Sequence, residues 1–215
     1  MGVYDVPFHS EQFYDHKARW IHYFHQIRAV RSELRENGGD LDKFSVLEIG
    51  PSHGLVTGYL RKFGVKVTTL DIKPEYTPDV VGDVCELPFA DDSFSMAIAC
   101  EVLEHMPFTD SLKALRELRR VVKRTIFISV PDARRTLLQM RLKLPFCREI
   151  SLTIRVPTLQ RQIVTVARAH NWEIGKRGYP PSYVRSSIRR AGFRILREGS
   201  LPDTPRNYYF LLEKI

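Results

Sequence analysis

Two carboxylates and a small-residue turn carry the chemistry legible in this chain. The stretch Val46-Leu47-Glu48-Ile49-Gly50-Pro51-Ser52-His53-Gly54 runs from an apolar segment through an acid into a turn built on two glycines. A second apolar run, Val65 to Leu70, ends in Asp71. Such a turn lets backbone approach a ligand closely, and the second carboxylate accepts hydrogen bonds from a ribose diol. A pyrophosphate-binding turn calls for Gly-x-Gly-x-x-Gly at a helix N-terminus. Here Gly50 and Gly54 stand four apart with Ser52 between them, and the next glycine is Gly58. The spacing therefore suits a nucleoside that presents no pyrophosphate.

More chemistry-bearing residues follow. Gly82-Asp83-Val84 and Leu87-Pro88-Phe89-Ala90-Asp91-Asp92-Ser93-Phe94 precede an apolar run from Phe94 to Cys100, which leads into Glu101-Val102-Leu103-Glu104-His105. In this order the motifs, with Glu48 two residues before Gly50, resemble those of the class I S-adenosylmethionine-dependent methyltransferases, in their methyltransferase type 11-like branch. The specific part of the resemblance spans Phe44 to Asp132. It departs from the family pattern at Ser52, where glycine is usual; serine resists positive φ more than glycine does.

The resemblance implies S-adenosylmethionine as cofactor. It places Glu48, Gly50, Pro51, Ser52 and Gly54 under the methionine moiety and Asp71 with Ile72 at the ribose. Asp83 then accepts from the adenine amino group, the Val84 amide lies at the ring edge, and Glu101 closes the site. His105, after the fourth strand near the expected methyl position, is the first candidate for a catalytic base, and His170 the second. The segment His170 to Pro181 is read as a substrate lid, with Glu173 as a further acid–base group and Trp172 and Tyr179 as walls; Tyr14 also comes within reach. The implied reaction is an in-line displacement at the methyl carbon, resting on alignment and exclusion of water. A base is needed only for a weakly acidic acceptor such as a hydroxyl.

No metal is expected: Cys85, Cys100 and Cys147 lack metal-ligand spacing, and no acidic trio of the catechol-enzyme kind is evident. Glu101-Val102-Leu103-Glu104 stands where base N-methylating enzymes carry Asn/Asp-Pro-Pro-Tyr/Phe. Ala99 rather than proline precedes Cys100, against a cytosine C5 nucleophile.

Elements must place these groups. The spacing predicts a long amphipathic helix over Glu11 to Glu36, its stripe of Phe13, Trp20, Phe24, Ile27 and Leu34 packed on the sheet. Strands are expected at Ser45–Ile49, Lys66–Leu70, Val80–Val81, Phe94–Cys100 and Thr125–Val130. Helices are expected at Leu55–Phe63, at Thr109–Val122 with Thr109 or Asp110 as N-cap, and at Ser182–Ala191 with Ser182 as cap. Two last strands, Phe193–Arg197 and Asn207–Glu213, are close enough in sequence to pair antiparallel. The fold class is α/β: a Rossmann-like, doubly wound, mostly parallel seven-stranded sheet ending in an antiparallel hairpin. Gly50, Asp71, Asp83, Glu101 and Ser129 to Asp132 all fall at the carboxyl ends of strands, where such sheets bind ligands.

The 215 residues suit one domain: a helical cap over 1–43, a cofactor-binding core over 44–132, a basic insert and lid over 133–181, and a helix and hairpin over 182–215. The charge is uneven. Residues 1–131 hold 16 basic and 19 acidic side chains, whereas 132–168 hold 8 and 2 and 169–215 hold 9 and 4. The basic half admits an anionic small-molecule acceptor, with RNA or an anionic membrane surface as the other classes. Leu137, Leu138, Leu142 and Leu144, among Arg134, Arg135, Arg141 and Lys143, are read as an amphipathic helix that lies on lipid, covers the pocket or joins two copies. With no signal segment or apolar span evident and thiols that read as reduced, a cytoplasmic location is expected. The functional expectation is methyl transfer to a small molecule, with RNA methylation or a non-catalytic cofactor-binding subunit as alternatives.

Overall fold

The computed structural model describes residues 17–143, 150–158, 170–201 and 204–215. Short β-branched runs and amphipathic helices alternate from Ser45 to Pro131 in the expected order, although the fifth strand begins at Val122, which was expected to end the helix before it. The strands are β1 (Ser45–Ile49), β2 (Lys66–Asp71), β3 (Val80–Val81), β4 (Phe94–Cys100) and β5 (Val122–Pro131). The helices are α1 (Lys17–Glu36), α2 (Leu55–Lys62) and α3 (Phe108–Val121). After β5 come β6 (Arg135–Leu142) and β7 (Ile150–Val156), then α4 (Pro181–Arg190), β8 (Phe193–Leu201) and β9 (Thr204–Lys214).

Seven strands make one sheet in the order β3-β2-β1-β4-β5-β9-β8. The first five run parallel, and β9 joins antiparallel to both β5 and β8. Central strands buried on both faces read as continuous apolar runs: all of Phe94 to Ala99 is buried. One face is packed by Leu115, Leu118, Val184 and Ile188 from α3 and α4, the other by Val30, Val56 and Leu60 from α1 and α2. Two connections that would cross the sheet are thereby covered, and the strands' carboxyl ends are left as a shared edge.

Both helix caps differ from expectation. The α3 helix starts after Pro107 and α4 after Pro180, without side-chain caps; in α4, Pro181 occupies the first turn, where its missing N–H costs nothing. The α1 stripe also differs. Trp20 and Phe24 are more than half exposed, and the buried face is His22, Gln26, Val30 and Glu33. That face meets polar partners on the sheet: His22 Nδ1 lies 2.9 Å from the Tyr209 hydroxyl and Glu33 pairs with Arg124 at 3.2 Å. The polar alternative wins because the sheet surface beneath α1 carries a tyrosine hydroxyl and an arginine. Residues 11–16 of the expected helix, Tyr14 among them, lie outside the described residues.

The largest correction concerns the insert. Arg135–Leu142 is a strand, paired antiparallel with β7 as a separate two-stranded sheet. Leu138, Met140 and Leu142 face Ile154, Leu152 and Ile150 across the pair, so six apolar side chains share one face. All six are exposed. Runs of leucine and arginine satisfy a helical period as well as an alternating one; the two-residue repeat Ile150-Leu152-Ile154 decides, because a strand there supplies the pairing edge that β6 needs. The root of the hairpin is tied down. Asp132, buried at the end of β5, takes Arg134 Nη2 at 2.7 Å and is also paired with Arg155 from β7. Thr158 donates to the Ala133 carbonyl at 2.7 Å. Among the described residues, no helix is long and apolar enough to cross a membrane.

Candidate active site

The turn after β1 is wound by three left-handed residues in alternation: Gly50 at φ 69°, Ser52 at φ 52° and Gly54 at φ 70°. Serine therefore takes the strained conformation that glycine would adopt freely, a feature concentrated at functional sites. Gly54 heads α2, and a side chain there would meet open space, so its lack of a Cβ serves the backbone rather than packing. Pro51 is buried and His53 turns edge-on to Tyr76 with ring centroids 6.1 Å apart. Tyr76, which the motifs do not single out, thus lines the space between the turn and the end of β2; its only sequence signal is an aromatic five residues after Asp71.

Glu48 lies inside β1 rather than at the edge, fully covered, and accepts a hydrogen bond from the Thr57 hydroxyl of α2. Its role is to fasten the turn to the helix that follows. Burial pushes its carboxyl up to about 7, partly opposed by the Thr57 bond and Arg61. The folded state consequently holds a proton that the unfolded chain releases near its ordinary value, so Glu48 lowers stability as pH rises from about 4.5 to 7. The loss across that window is on the order of 3 kcal/mol. Burial depresses His22 to about 4, which works in the opposite direction between about 4 and 6.5. Comparing wild type with Glu48→Gln isolates the glutamate: urea unfolding at pH 5 and pH 8 should show the wild-type loss shrinking in the variant. An identical pH slope in both proteins would remove Glu48 from this role.

Asp71 ends β2, half-buried, and its Oδ1 accepts the Lys73 amide at 2.9 Å, which fixes the carboxylate and leaves the other oxygen for a ligand. Ile72 beside it is largely exposed, an apolar surface at the edge. Asp83 uses Oδ1 in the same way, taking the Cys85 amide at 2.8 Å, so it both caps the turn and presents an acceptor. The Val84 side chain belongs to the core; only its backbone faces outward roles. Glu101 follows β4 at φ 56° and accepts the Ser129 hydroxyl at 2.8 Å. The five elements that bear these groups are adjacent parallel strands, so their ends share one edge.

The segment from His170 to Pro181 is no lid. Asn171 binds the Glu104 and His105 carbonyls at 2.7 and 2.9 Å through its amide and side chain, and Ile174 bridges to Asp132. Trp172 is buried, donates to the Leu103 carbonyl and the Ser111 hydroxyl at 3.0 Å each, and packs edge-on against Phe108. It is a structural staple rather than a substrate wall. Tyr179 packs on the same Phe108 at 5.3 Å. Glycines and aromatics signal either mobility or tight packing; here Gly175, at φ 85°, is pressed against Arg134, and packing wins.

Stapling this segment to the end of β4 brings together residues far apart in sequence. The His105 and His170 rings meet in a T-shape with centroids 5.1 Å apart. His170 Nδ1 lies 3.0 Å from Glu173 Oε1, and His105 Nε2 lies 3.9 Å from Glu104 Oε1. Both candidate bases and Glu173 therefore form one assembly beside Glu101.

The family described as methyltransferase domain matches residues 47–128, from within β1 to within β5. The fold is the Rossmann-like one that class I methyltransferases share. The matched segment holds Glu48 to Gly54, Asp71, Asp83 and Glu101, and the cofactor of the matching family is S-adenosylmethionine. No curated protein matches the chain. Solved structures with the same fold include magnesium protoporphyrin IX methyltransferase from Synechocystis PCC 6803 with bound adenosylmethionine, at TM-score 0.60 and 13% identity over 92% of this chain and 80% of that one. A glycopeptide N-methyltransferase complexed with S-adenosylhomocysteine aligns at TM-score 0.56 and 16% identity over 87% and 89%. Burkholderia thailandensis 1,6-didemethyltoxoflavin-N1-methyltransferase aligns at TM-score 0.56 and 14% identity over 92% and 86%. At such identities these likenesses concern the fold. The residues of the matched segment fit the cofactor on their own geometry: a left-handed turn open to backbone approach, and two carboxylates, each fixed through one oxygen by a backbone amide, at the ends of neighbouring strands.

Proposed function

We propose that this chain transfers the methyl group of S-adenosylmethionine to a small-molecule acceptor. The observation that carries the reading is the meeting of the turn at Gly50 to Gly54, Asp71, Asp83 and Glu101 on one sheet edge, with the His105–His170 pair beside them. Bound adenosylmethionine supplies a methyl group on a sulfonium, which leaves as a neutral thioether. The turn and the two aspartates hold the nucleoside and amino acid ends, and so fix where the methyl carbon lies. The imidazoles of His105 and His170 offer nitrogen lone pairs on the acceptor side. Two structural neighbours act, by their names, on magnesium protoporphyrin IX and 1,6-didemethyltoxoflavin, which supports the small-molecule class. Incubation with methyl-labelled adenosylmethionine and fractionated extract tests it.

The hairpin supports a location for that chemistry. Residues 134–156 hold six basic side chains, of which Arg134 and Arg155 are paired with Asp132, and one acidic, and six exposed apolar side chains share one face of β6 and β7. An anionic lipid surface complements both properties, because apolar side chains enter the interface while basic ones meet phosphates. A second copy would set two such basic hairpins against each other. Flotation with vesicles of phosphatidylglycerol and phosphatidylcholine should carry the wild type, and Met140→Asp with Leu152→Asp should abolish it. Failure of the wild type to float, or a concentration-dependent dimer that the same variant dissolves, would refute lipid docking.

A further inference from the structure

We propose that Glu104, His105 and His170 bind a single divalent transition-metal ion at the acceptor end of the site, with Glu173 orienting His170. Each of the three offers a ligand atom, and those atoms lie within 4.8 Å of one another. Side-chain rotation closes such a span on an ion whose ligand bonds are about 2.0–2.2 Å. The group is held from two directions: Glu104 and His105 sit on the one-turn helix Leu103–His105 after β4, while Asn171 ties the His170 segment to the carbonyls of those same two residues.

The buried carboxylate is the observation that calls for a cation. Glu104 is completely buried, and neither of its oxygens has a hydrogen-bond partner. Beyond His105, whose Nε2 lies 3.9 Å away, the charges that act on it, from Glu101 and Glu173, are negative. A carboxylate placed so is costly unless it holds a proton or a positive group joins it, and a metal ion would displace that proton. The imidazoles are the soft, neutral ligands that transition metals favour over magnesium or calcium. The Glu173–His170 contact has the form of the carboxylate–histidine arrangement that backs metal ligands: the Nδ1 proton is held by Glu173, and Nε2 then points its lone pair at the ion.

Three protein ligands leave positions open, as catalytic metal sites do. On the proposed reading of methyl transfer, on which this part rests, those positions take oxygen atoms of the acceptor. The two histidines then serve as ligands, and the ion itself lowers the proton affinity of the acceptor oxygen.

The test uses the full chain, stripped with a chelator and desalted, without adenosylmethionine or acceptor. Zinc is titrated by calorimetry and cobalt by visible absorption. The expected result is saturable binding at one site, with the cobalt bands of a low-symmetry imidazole–carboxylate site. Glu173→Gln should weaken binding about 10- to 100-fold. Glu104→Gln and His170→Ala should each abolish it while circular dichroism and melting show folded protein. No saturable binding by folded wild type overturns the proposal, as does binding that survives both His105→Ala and His170→Ala. Metal bound without any methyl transfer would instead count against the proposed reaction and leave the metal site standing.

Discussion

Replacing Asp71 with alanine is expected to weaken adenosylmethionine binding by about a hundredfold or more while leaving the protein folded. The Asp71 carboxylate is already fixed by the Lys73 amide, so it meets a ribose diol without losing side-chain freedom. Hydrogen bonds to a charged group contribute roughly 1.5–3 kcal/mol each, and two of them correspond to at least two decades in affinity. The side chain is only half-buried, so melting should move by no more than a few degrees. Calorimetric titration of both proteins with adenosylmethionine reads the effect. An affinity within threefold of wild type would place the ribose elsewhere.

Gly50→Ala should cost more, because two penalties act at one atom. The residue sits at φ 69°, where an L side chain is strained by roughly 1–2 kcal/mol. An added Cβ would also stand 2.7 Å from Val102 Cγ2, a clash with the segment leading to Glu104. Overpacking of that kind typically costs about 1–3 kcal/mol. The sum lowers the melting temperature by roughly 5–15 °C for a chain of this size, and it displaces the turn on which the cofactor would lie. Gly54→Ala provides the contrast: φ is similar, at 70°, but nothing stands within 4 Å, so only the conformational part remains. A thermal shift assay of the two variants separates the terms. Equal losses would show that the Val102 contact does not matter.

The parallel sheet was legible because its strands are buried on both faces and read as mainly apolar runs bounded by turns, broken by few polar residues such as Glu48. Phe94–Cys100 and Ser45–Ile49 could scarcely be read otherwise. The shared edge was legible for a related reason: residues of one turn and the ends of neighbouring strands are linked by topology, so Gly50, Asp71, Asp83 and Glu101 needed no side-chain detail to be placed on it. What failed was everything decided by a tertiary partner. Trp20 and Phe24 look like a buried stripe until the sheet is seen to offer Tyr209 and Arg124 to the opposite, polar face of α1. Leu137 to Leu142 fits a helix until β7 supplies an edge. Trp172 looks like a pocket wall until Ser111 and the Leu103 carbonyl are found beneath its indole nitrogen. His105 and His170 were visible singly, but their meeting depends on Asn171 reaching back to the end of β4. The same meeting is what turns an expectation of no metal into a candidate metal site.

The most direct measurement is incubation of the chain with methyl-labelled adenosylmethionine and a native extract separated into small molecules, lipid, RNA and protein. Label should enter the small-molecule fraction with wild type and be reduced about a hundredfold with Asp71→Ala at limiting cofactor. Label confined to RNA or protein would contradict the small-molecule acceptor, and an absence of transfer to any fraction would contradict the reaction itself.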